Sequence, residues 1–169
     1  MDALKEAFLS FINKVPFYGA SVVCIENEHV RELLPSVLRR YITYGLTREA
    51  HLYAENIRKC FMSASFEAVY KGRNVGFFEL PAPGIHNVLN SLAALGVALV
   101  IKMDVPVIQD ALKKFSDIQR RLEFKGEADG VKVFDDYGHH PSEIRATLSA
   151  VREGLQISGQ QTGRLIVLF

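Results

Sequence analysis

Residues 132–148, KVFDDYGHHPSEIRATL, predict a strand, a short polar turn and a helix in direct succession. The strand follows Asp129 and Gly130, a pair typical of tight hairpin turns. Pro141 suits the first position of a helix, and Glu143 suits its positive end. In α/β proteins, ligands bind where strand carboxyl ends meet helix amino ends. The segment therefore predicts an α/β fold with a site at the turn.

The turn itself, DDYGHHP, has two acids, a phenol and two imidazoles within residues 135–141. A metal site has enough ligands here, but neighbours in one short loop seldom converge on a single ion. A nucleophilic triad lacks a placed serine or cysteine. A structural turn remains open, because aspartate caps helices and glycine relaxes the backbone. A nucleotide or anion site also remains open, because a carboxylate accepts from a ribose hydroxyl and a phenol stacks on a base.

A second polar group, HNVLN at residues 86–90, opens a long apolar helix that follows the breaker sequence PAPG. Asn87 and Asn90 lie three residues apart, so their amides project from one helix face. An amide offers a donor and an acceptor that match the edge of adenine. Helix capping explains the same residues equally well, and both interpretations stay open.

A third group, QRRLE at residues 119–123, lies where the helical pattern gives way to strands. Two arginines on a strand usually form a solvated edge. A guanidinium aimed at a phosphate would instead make a charge-assisted hydrogen bond. The change of pattern at this point also suggests a hinge.

The composition excludes several classes of protein. The chain has 169 residues, 49% of them apolar, and 20 Lys and Arg oppose 19 Asp and Glu, which leaves a net charge of +1. Nucleic acid is not an expected partner, because no broad basic surface is available. The longest apolar run, residues 88–101, is shorter than the roughly 20 residues of a membrane span, so no membrane insertion is expected. Without a secretory leader we expect a cytoplasmic protein, and Cys24 and Cys60 are expected to be buried thiols.

Hydrophobic periodicity outlines the other elements. The last helix is expected to bury a stripe made of Ile144, Leu148, Val151 and Leu155. The remaining predictions are a helix over 4–15, a strand over 21–25, a helix over 28–38, a hairpin over 65–80 turning at Gly72, a helix that begins after Gly84 and includes the apolar run 88–101, a helix over 105–115, and a final apolar strand over 164–169.

Taken in order, these motifs resemble the ATP-dependent Mur ligases of bacterial cell-wall synthesis. The likeness covers nearly the whole chain, and the pairing of HNVLN with DDYGHHP at this separation is its most specific part. Within the family, the motifs are most similar to the member that joins L-alanine to UDP-N-acetylmuramate. They comprise PFYG, RELLP, APGIHNVLNSLAALGVAL, FSDIQRRLE, DDYGHHPSEIRATLSAVR and the terminal LIVLF.

The resemblance implies a fold and a division of the chain. Residues 1–119 are expected to be the later part of the central ATPase domain. Residues 120–169 are expected to be the beginning of a Rossmann-like C-terminal domain. The implied substrates are ATP, UDP-N-acetylmuramate and L-alanine, with Mg²⁺ as the metal cofactor, and the implied reaction passes through an acyl phosphate.

The resemblance also assigns roles residue by residue. Asn87 and Asn90 match the positions that meet adenine, with His86 beside them, and Arg121 matches an arginine that reaches the nucleotide phosphates. The remaining matches lie in the turn, where Asp136 corresponds to the ribose-binding acid, Tyr137 to its neighbour by the nucleotide, and His139 to a residue near the incoming amino acid.

Other features of the family pattern are missing. No G-x-x-x-x-G-K-[ST] phosphate loop occurs. The magnesium ligands are expected before Met1, and the residues that hold the alanine carboxylate beyond Phe169. No complete catalytic set, metal site or tightly bound cofactor is therefore expected, and the chain alone is expected to be inactive. No oligomeric state is predicted.

Two alternatives remain open. A murein-peptide recycling ligase shares most motifs, but it more often has Phe-Ala where this chain has Tyr137 and Gly138, which favours the alanine-adding member. The other alternative is a non-catalytic binding module of the same fold.

Overall fold

The computed structural model describes residues 2–115, 120–157 and 164–168. It confirms the predicted mixed α/β architecture. None of its described helices is long and apolar enough to cross a membrane. Its elements in chain order are α1 (Asp2–Asn13), β1 (Ser21–Cys24), α2 (Glu28–Leu33), β2 (Tyr41–Gly45), β3 (Leu52–Lys59), β4 (Ala64–Tyr70), β5 (Arg73–Leu80), α3 (Ile85–Val100), α4 (Val105–Lys113), β6 (Glu123–Ala128), β7 (Val131–Asp135) and α5 (Pro141–Ile157).

The first five strands form one sheet in the order β1-β2-β3-β4-β5. The β1–β2 and β2–β3 pairs are parallel, and the β3–β4 and β4–β5 pairs are antiparallel. The hairpin predicted at Gly72 is confirmed as the β4–β5 turn. Lys71 and Gly72 both have positive φ angles, 50° and 76°, as a two-residue turn of this kind requires.

Helix α3 packs on this sheet and forms the main core with it. Val88, Leu92 and Leu95 are fully buried, and their spacing places them on one face of the helix. On the sheet, Phe66 and Phe78 pair across β4 and β5 with stacked rings whose centroids are 5.6 Å apart. This packing fixes the position of the amino end of α3, where HNVLN lies.

The second part of the chain is a separate hairpin followed by α5. Strands β6 and β7 pair only with each other within the described residues, and Asp129 and Gly130 form the predicted turn with φ angles of 51° and 77°. Helix α5 begins at Pro141 as predicted. The strand–turn–helix order inferred from residues 132–148 is therefore confirmed.

The buried face of α5 differs from the predicted stripe. Ile144, Leu148, Val151 and Leu155 are only partly buried, and Ala150 and Gly154 are the buried residues. Gly154 lies against the turn between β3 and β4, and an added Cβ there would be 2.8 Å from Phe61 Cδ2. Lys59 Nζ donates a 2.9 Å hydrogen bond to Glu153 Oε2 beside this contact. The small residues Ala150 and Gly154 are buried in place of the larger apolar side chains because they let the backbone of α5 approach its neighbours closely.

Three of the helices, α1, α2 and α4, end earlier than the sequence predicted. Helix α1 ends at Asn13, before Pro16, and α4 ends at Lys113. Helix α2 stops at Leu33, and Pro35 lies in the short 3-10 helix that follows, Leu34–Ser36. A proline has no N–H to continue the α-helical ladder, which accounts for the early end of α2.

Two further expectations were wrong. Residues 164–168 are not a strand, because no described strand pairs with them, and their apolar side chains are exposed. Cys60 is exposed because it lies in the turn after β3, and Cys24 is only partly buried. Helix α1 has the predicted periodicity, but Leu4, Phe8 and Phe11 on it are exposed.

Candidate functional site

A cleft of about 720 Å³ lies between the amino ends of α3 and α5. Unpaired N–H groups and the helix dipole make each of these ends favourable to an anion. The cleft also has apolar walls, including Leu80, Pro83 and Phe115. Its polar lining comprises His86, Asn87, Asn90, Ser91, Arg121, Asp136, Ser142, Glu143 and Thr147. Five of the seven residues singled out from the sequence therefore share one cavity.

The α3 wall carries the three residues predicted from HNVLN. The Asn87 amide nitrogen donates to the Pro83 carbonyl oxygen at 2.7 Å, which orients this side chain at the start of the helix. The backbone carbonyl oxygen of Asn87 accepts a hydrogen bond from Ser91 Oγ at 2.9 Å. Asn90, one turn further on, is exposed on the same wall. One N–H of the Asn87 amide is thus engaged by the segment before α3, and Asn90 presents its amide to the cleft.

The conformation of this wall depends on Gly84. Gly84 is the N-cap residue of α3 and has φ 88° and ψ 151°, a region open almost only to glycine. An added Cβ would lie 2.7 Å from His86 Cε1 and 3.0 Å from Ala150 Cβ. A side chain at position 84 would therefore press against both α3 and α5.

On the opposite wall, Asp136 holds the turn together. Its Oδ2 accepts the Leu122 N–H at 2.9 Å, and its Oδ1 accepts the Gly138 N–H at 2.8 Å. Each carboxylate oxygen can accept a second hydrogen bond. Asp136 therefore links the backbone at Leu122 to the backbone of the turn, and it retains acceptor capacity for a ligand hydroxyl.

Arg121 lies beside Asp136 and faces α5. Its Nη1 is 3.7 Å from Glu143 Oε1, and its side chain is about half exposed, so the guanidinium is available at the cleft. The preceding residue Arg120 turns the other way: its guanidinium lies 4.9 Å from the Tyr137 ring centroid. The two arginines of RRLE thus have different environments, and Gln119 of the same motif lies outside the described residues.

Tyr137 and His139 do not line the cleft. Tyr137 as a residue is 53% exposed and the His139 side chain is 74% exposed, and the two rings meet edge to face with centroids 5.4 Å apart. Tyr137 is held by its own N–H, which donates to the Arg120 carbonyl oxygen at 2.7 Å. The turn therefore presents its acid to the cavity and places its phenol and its first imidazole at the rim.

His86 is one of two cleft residues, with Glu143, whose pKa is clearly shifted. Burial lowers the pKa of His86, the carboxylate of Asp136 partly offsets this effect, and Arg121 adds to it. The imidazole is therefore neutral at neutral pH, when it can both donate and accept a hydrogen bond.

The lowered pKa of His86 predicts a pH dependence of stability. As the pH is lowered through about 6.5, the unfolded chain takes up a proton on this histidine before the folded chain does. The free energy of unfolding therefore decreases as the pH is lowered. Urea titrations between pH 7 and pH 5 should show a steeper fall for the wild type than for His86→Gln. Equal slopes would show that the buried imidazole is not responsible.

The sequence analysis assigned four of the polar cleft residues no role in the site: Ser91, Ser142, Glu143 and Thr147. Glu143 was noted only for its effect on the helix dipole, and Ser142 was not considered, although both directly follow Pro141 in the first turn of α5. Their position in the sequence could have identified Ser142 and Glu143, because the first turn of a helix after a strand-end loop faces the site. In the part of the chain that the structure describes, no group of three or more His, Cys, Asp or Glu could hold a metal ion.

These features define an α/β protein with a polar cleft between two helix amino ends. Comparison with known families then identifies it. Residues 1–98 match the Mur ligase middle domain, and residues 120–169 match the Mur ligase glutamate ligase domain. The chain belongs to the Mur ligase family.

Individual relatives support the same assignment. The chain is 44% identical over 169 residues to a UDP-N-acetylmuramate–L-alanine ligase of Geobacter sulfurreducens, and the match covers 100% of this chain and 36% of the relative. The chain thus spans about a third of the length of this curated relative.

Two solved structures are also similar. One is the UDP-N-acetylmuramate–alanine ligase of Thermotoga maritima, with a TM-score of 0.68 and 26% identity over 80% of this chain and 30% of that one. The other is a murein peptide ligase of Psychrobacter arcticus, with a TM-score of 0.67 and 25% identity over 91% of this chain and 32% of that one.

Proposed function

We propose that this chain is a segment of an ATP-dependent ligase that joins L-alanine to UDP-N-acetylmuramate. The single observation that carries the proposal is the shared cleft, in which Asn90 on α3 faces the wall formed by Arg121 and Asp136. The identity to the Geobacter sulfurreducens ligase supports the choice of substrates.

In this proposal, the two walls bind different parts of ATP. The amides of Asn87 and Asn90 meet the adenine edge, because each offers a donor and an acceptor. Asp136 accepts from the ribose, and Arg121 together with the two helix amino ends attracts the phosphates. His86, held neutral by burial, lies beside the adenine. At the rim of the cleft, Tyr137 lies near the nucleotide and His139 lies near the incoming amino acid.

The reaction we propose has two steps. The muramate carboxylate attacks the γ-phosphorus of ATP, which forms an acyl phosphate and releases ADP. The amine of L-alanine then attacks the acyl carbon, phosphate leaves with the bonding electron pair, and the nitrogen loses a proton as the amide forms. Holding amine and acyl phosphate together removes much of the entropic barrier, on the order of 7 to 11 kcal/mol in well-oriented systems.

The segment holds only part of this machinery. We divide it into residues 1–119, the later part of a central ATP-binding domain, and residues 120–169, the start of a C-terminal Rossmann-like domain. The implied Mg²⁺ would offset phosphate charge, and the described residues provide no acidic cluster to hold it. We assign no residue to the metal, and we place the ligase in the cytoplasm, where ATP is available.

The experiment compares this chain with the full-length protein that its reading frame encodes. The full-length protein should form ADP from ATP only when both UDP-N-acetylmuramate and L-alanine are present, and the purified 169-residue chain should not. A full-length protein that uses a murein peptide in place of L-alanine would establish the recycling ligase, which the similarity to the Psychrobacter arcticus enzyme makes the second candidate. A reading frame that starts at Met1 and encodes no phosphate loop would favour a binding module.

A further inference from the structure

Glu143 connects the cleft with His139 at its rim. It lines the cleft from the first turn of α5. Its Oε1 is 3.7 Å from Arg121 Nη1, and its Oε2 is 3.9 Å from His139 Nδ1. One carboxylate therefore lies between the proposed phosphate-binding arginine and the proposed amino-acid histidine.

The Glu143 carboxylate is ionised at neutral pH. Burial alone would raise its pKa, but the backbone N–H groups of His140 and His139 and the charge of Arg121 outweigh burial, and the net pKa is lowered. The charge is held in place by the fold. Gly138 packs against this residue, since an added Cβ there would lie 3.5 Å from the Glu143 Cβ.

One oxygen of this carboxylate lacks a donor. Glu143 Oε2 is closed to solvent and has no hydrogen bond of normal geometry from the described residues, although the backbone N–H groups of His139 and His140 are near the carboxylate. Enclosed acceptors are usually satisfied in native proteins. The imidazole of His139 carries the donor that could satisfy it. Its Nδ1 lies 3.9 Å from Glu143 Oε2, and its ring is largely exposed.

The surroundings of His139 Nδ1 select one tautomer. Besides Glu143 Oε2, this nitrogen lies 3.3 Å from the Tyr137 carbonyl oxygen. Both neighbours can only accept hydrogen bonds, which favours the tautomer with the proton on Nδ1. The other nitrogen, Nε2, is then an unprotonated acceptor on an exposed side chain.

We propose that Glu143 is a positioning residue for the ligase. Its carboxylate keeps Nδ1 of His139 protonated and thereby presents Nε2 to the donor groups of the incoming amino acid, while its second oxygen restrains Arg121. The proposal rests on the proposed function, because it uses the roles given there to His139 and Arg121.

Nuclear magnetic resonance tests the tautomer without any enzymatic turnover. In full-length protein labelled with ¹⁵N-histidine, the His139 signals are those lost in His139→Gln. The wild type should show the pattern of a proton on Nδ1, and Glu143→Ala should shift population toward Nε2–H. A wild type with its proton on Nε2, or a tautomer ratio unchanged in Glu143→Ala, would overturn the proposal. Unmoved signals from the other histidines show that the variant is folded.

Kinetics of the full-length ligase provide the second readout. Glu143→Ala should raise the KM for L-alanine by between about twofold and tenfold, the effect of one hydrogen bond. Glu127→Ala, which removes an exposed carboxylate from β6, is the matched control and should leave this KM unchanged. An unchanged KM in Glu143→Ala would count against the inference. A wild-type protein that does not use L-alanine would count against the proposed function, and the tautomer would still be readable.

Discussion

Asp136→Ala is expected to raise the KM for ATP of the full-length ligase by about tenfold or more, with a smaller effect on the KM for L-alanine. A hydrogen bond to a charged group contributes about 1.5 to 3 kcal/mol, which corresponds to a factor of about 10 to 150. The change removes the proposed ribose acceptor. It also releases the Leu122 N–H, so the segment that carries Arg121 loses its anchor. Both changes weaken the binding of ATP and therefore raise its KM.

The neighbouring acid provides the control for this prediction. Asp135 pairs with Arg120 at 3.5 Å and does not line the cleft, so Asp135→Ala should change the KM for ATP by less than about threefold, as is typical of exposed ion pairs. Steady-state titrations of ATP at saturating L-alanine measure the effect, and thermal unfolding shows whether each variant is folded. An ATP dependence that Asp136→Ala leaves unaltered would remove the ribose role.

Gly84→Ala is expected to lower the free energy of unfolding of the 169-residue chain more than Gly72→Ala does. The backbone conformation at Gly84 costs a non-glycine residue about 1 to 3 kcal/mol. Overlap of the new Cβ with His86 and Ala150 adds a cost of about the same size. Because these contacts join α3 to α5, the change should also weaken nucleotide binding.

Gly72→Ala separates the two contributions. Gly72 also has a positive φ, 76°, but an added Cβ there would have no neighbour within 4 Å. It should therefore show the conformational cost without the overlap. Urea denaturation of both variants measures the difference. A Gly84→Ala variant no less stable than Gly72→Ala would mean that α3 and α5 do not meet at this glycine.

The elements specified by local chemistry were predictable from the sequence. The turns at Gly72 and Gly130 and the start of α5 at Pro141 depend on the conformational preferences of single residues. The apolar run of α3 is also a local signal, since its periodicity reveals its buried face. These features were identified without knowledge of the tertiary structure.

Packing between distant segments was not predictable in the same way. The burial of Gly154 depends on Phe61, which lies about ninety residues earlier in the chain, and Ala150 lies against Gly84. The terminal apolar run looked like a strand, but a strand also needs a partner, and sequence periodicity does not supply one. Such outcomes are decided by long-range contacts.

The candidate site shows the same division. The residue types of HNVLN and DDYGHHP indicated which groups could bind a nucleotide, and the structure brings His86, Asn87, Asn90, Arg121 and Asp136 to one cleft. The side-chain directions in the turn were not predictable, because they depend on the contact of Tyr137 with Arg120. Glu143 was overlooked as a cleft residue because its two neighbours, Arg121 and His139, come from different segments.

A crystal structure of the full-length ligase with a non-hydrolysable ATP analogue would test the shared nucleotide cleft. We predict that the purine lies against the amides of Asn87 and Asn90 and that a ribose hydroxyl donates to Asp136. A nucleotide that contacts only one of these walls, or binds elsewhere, would contradict the proposal that α3 and the turn before α5 form a single site.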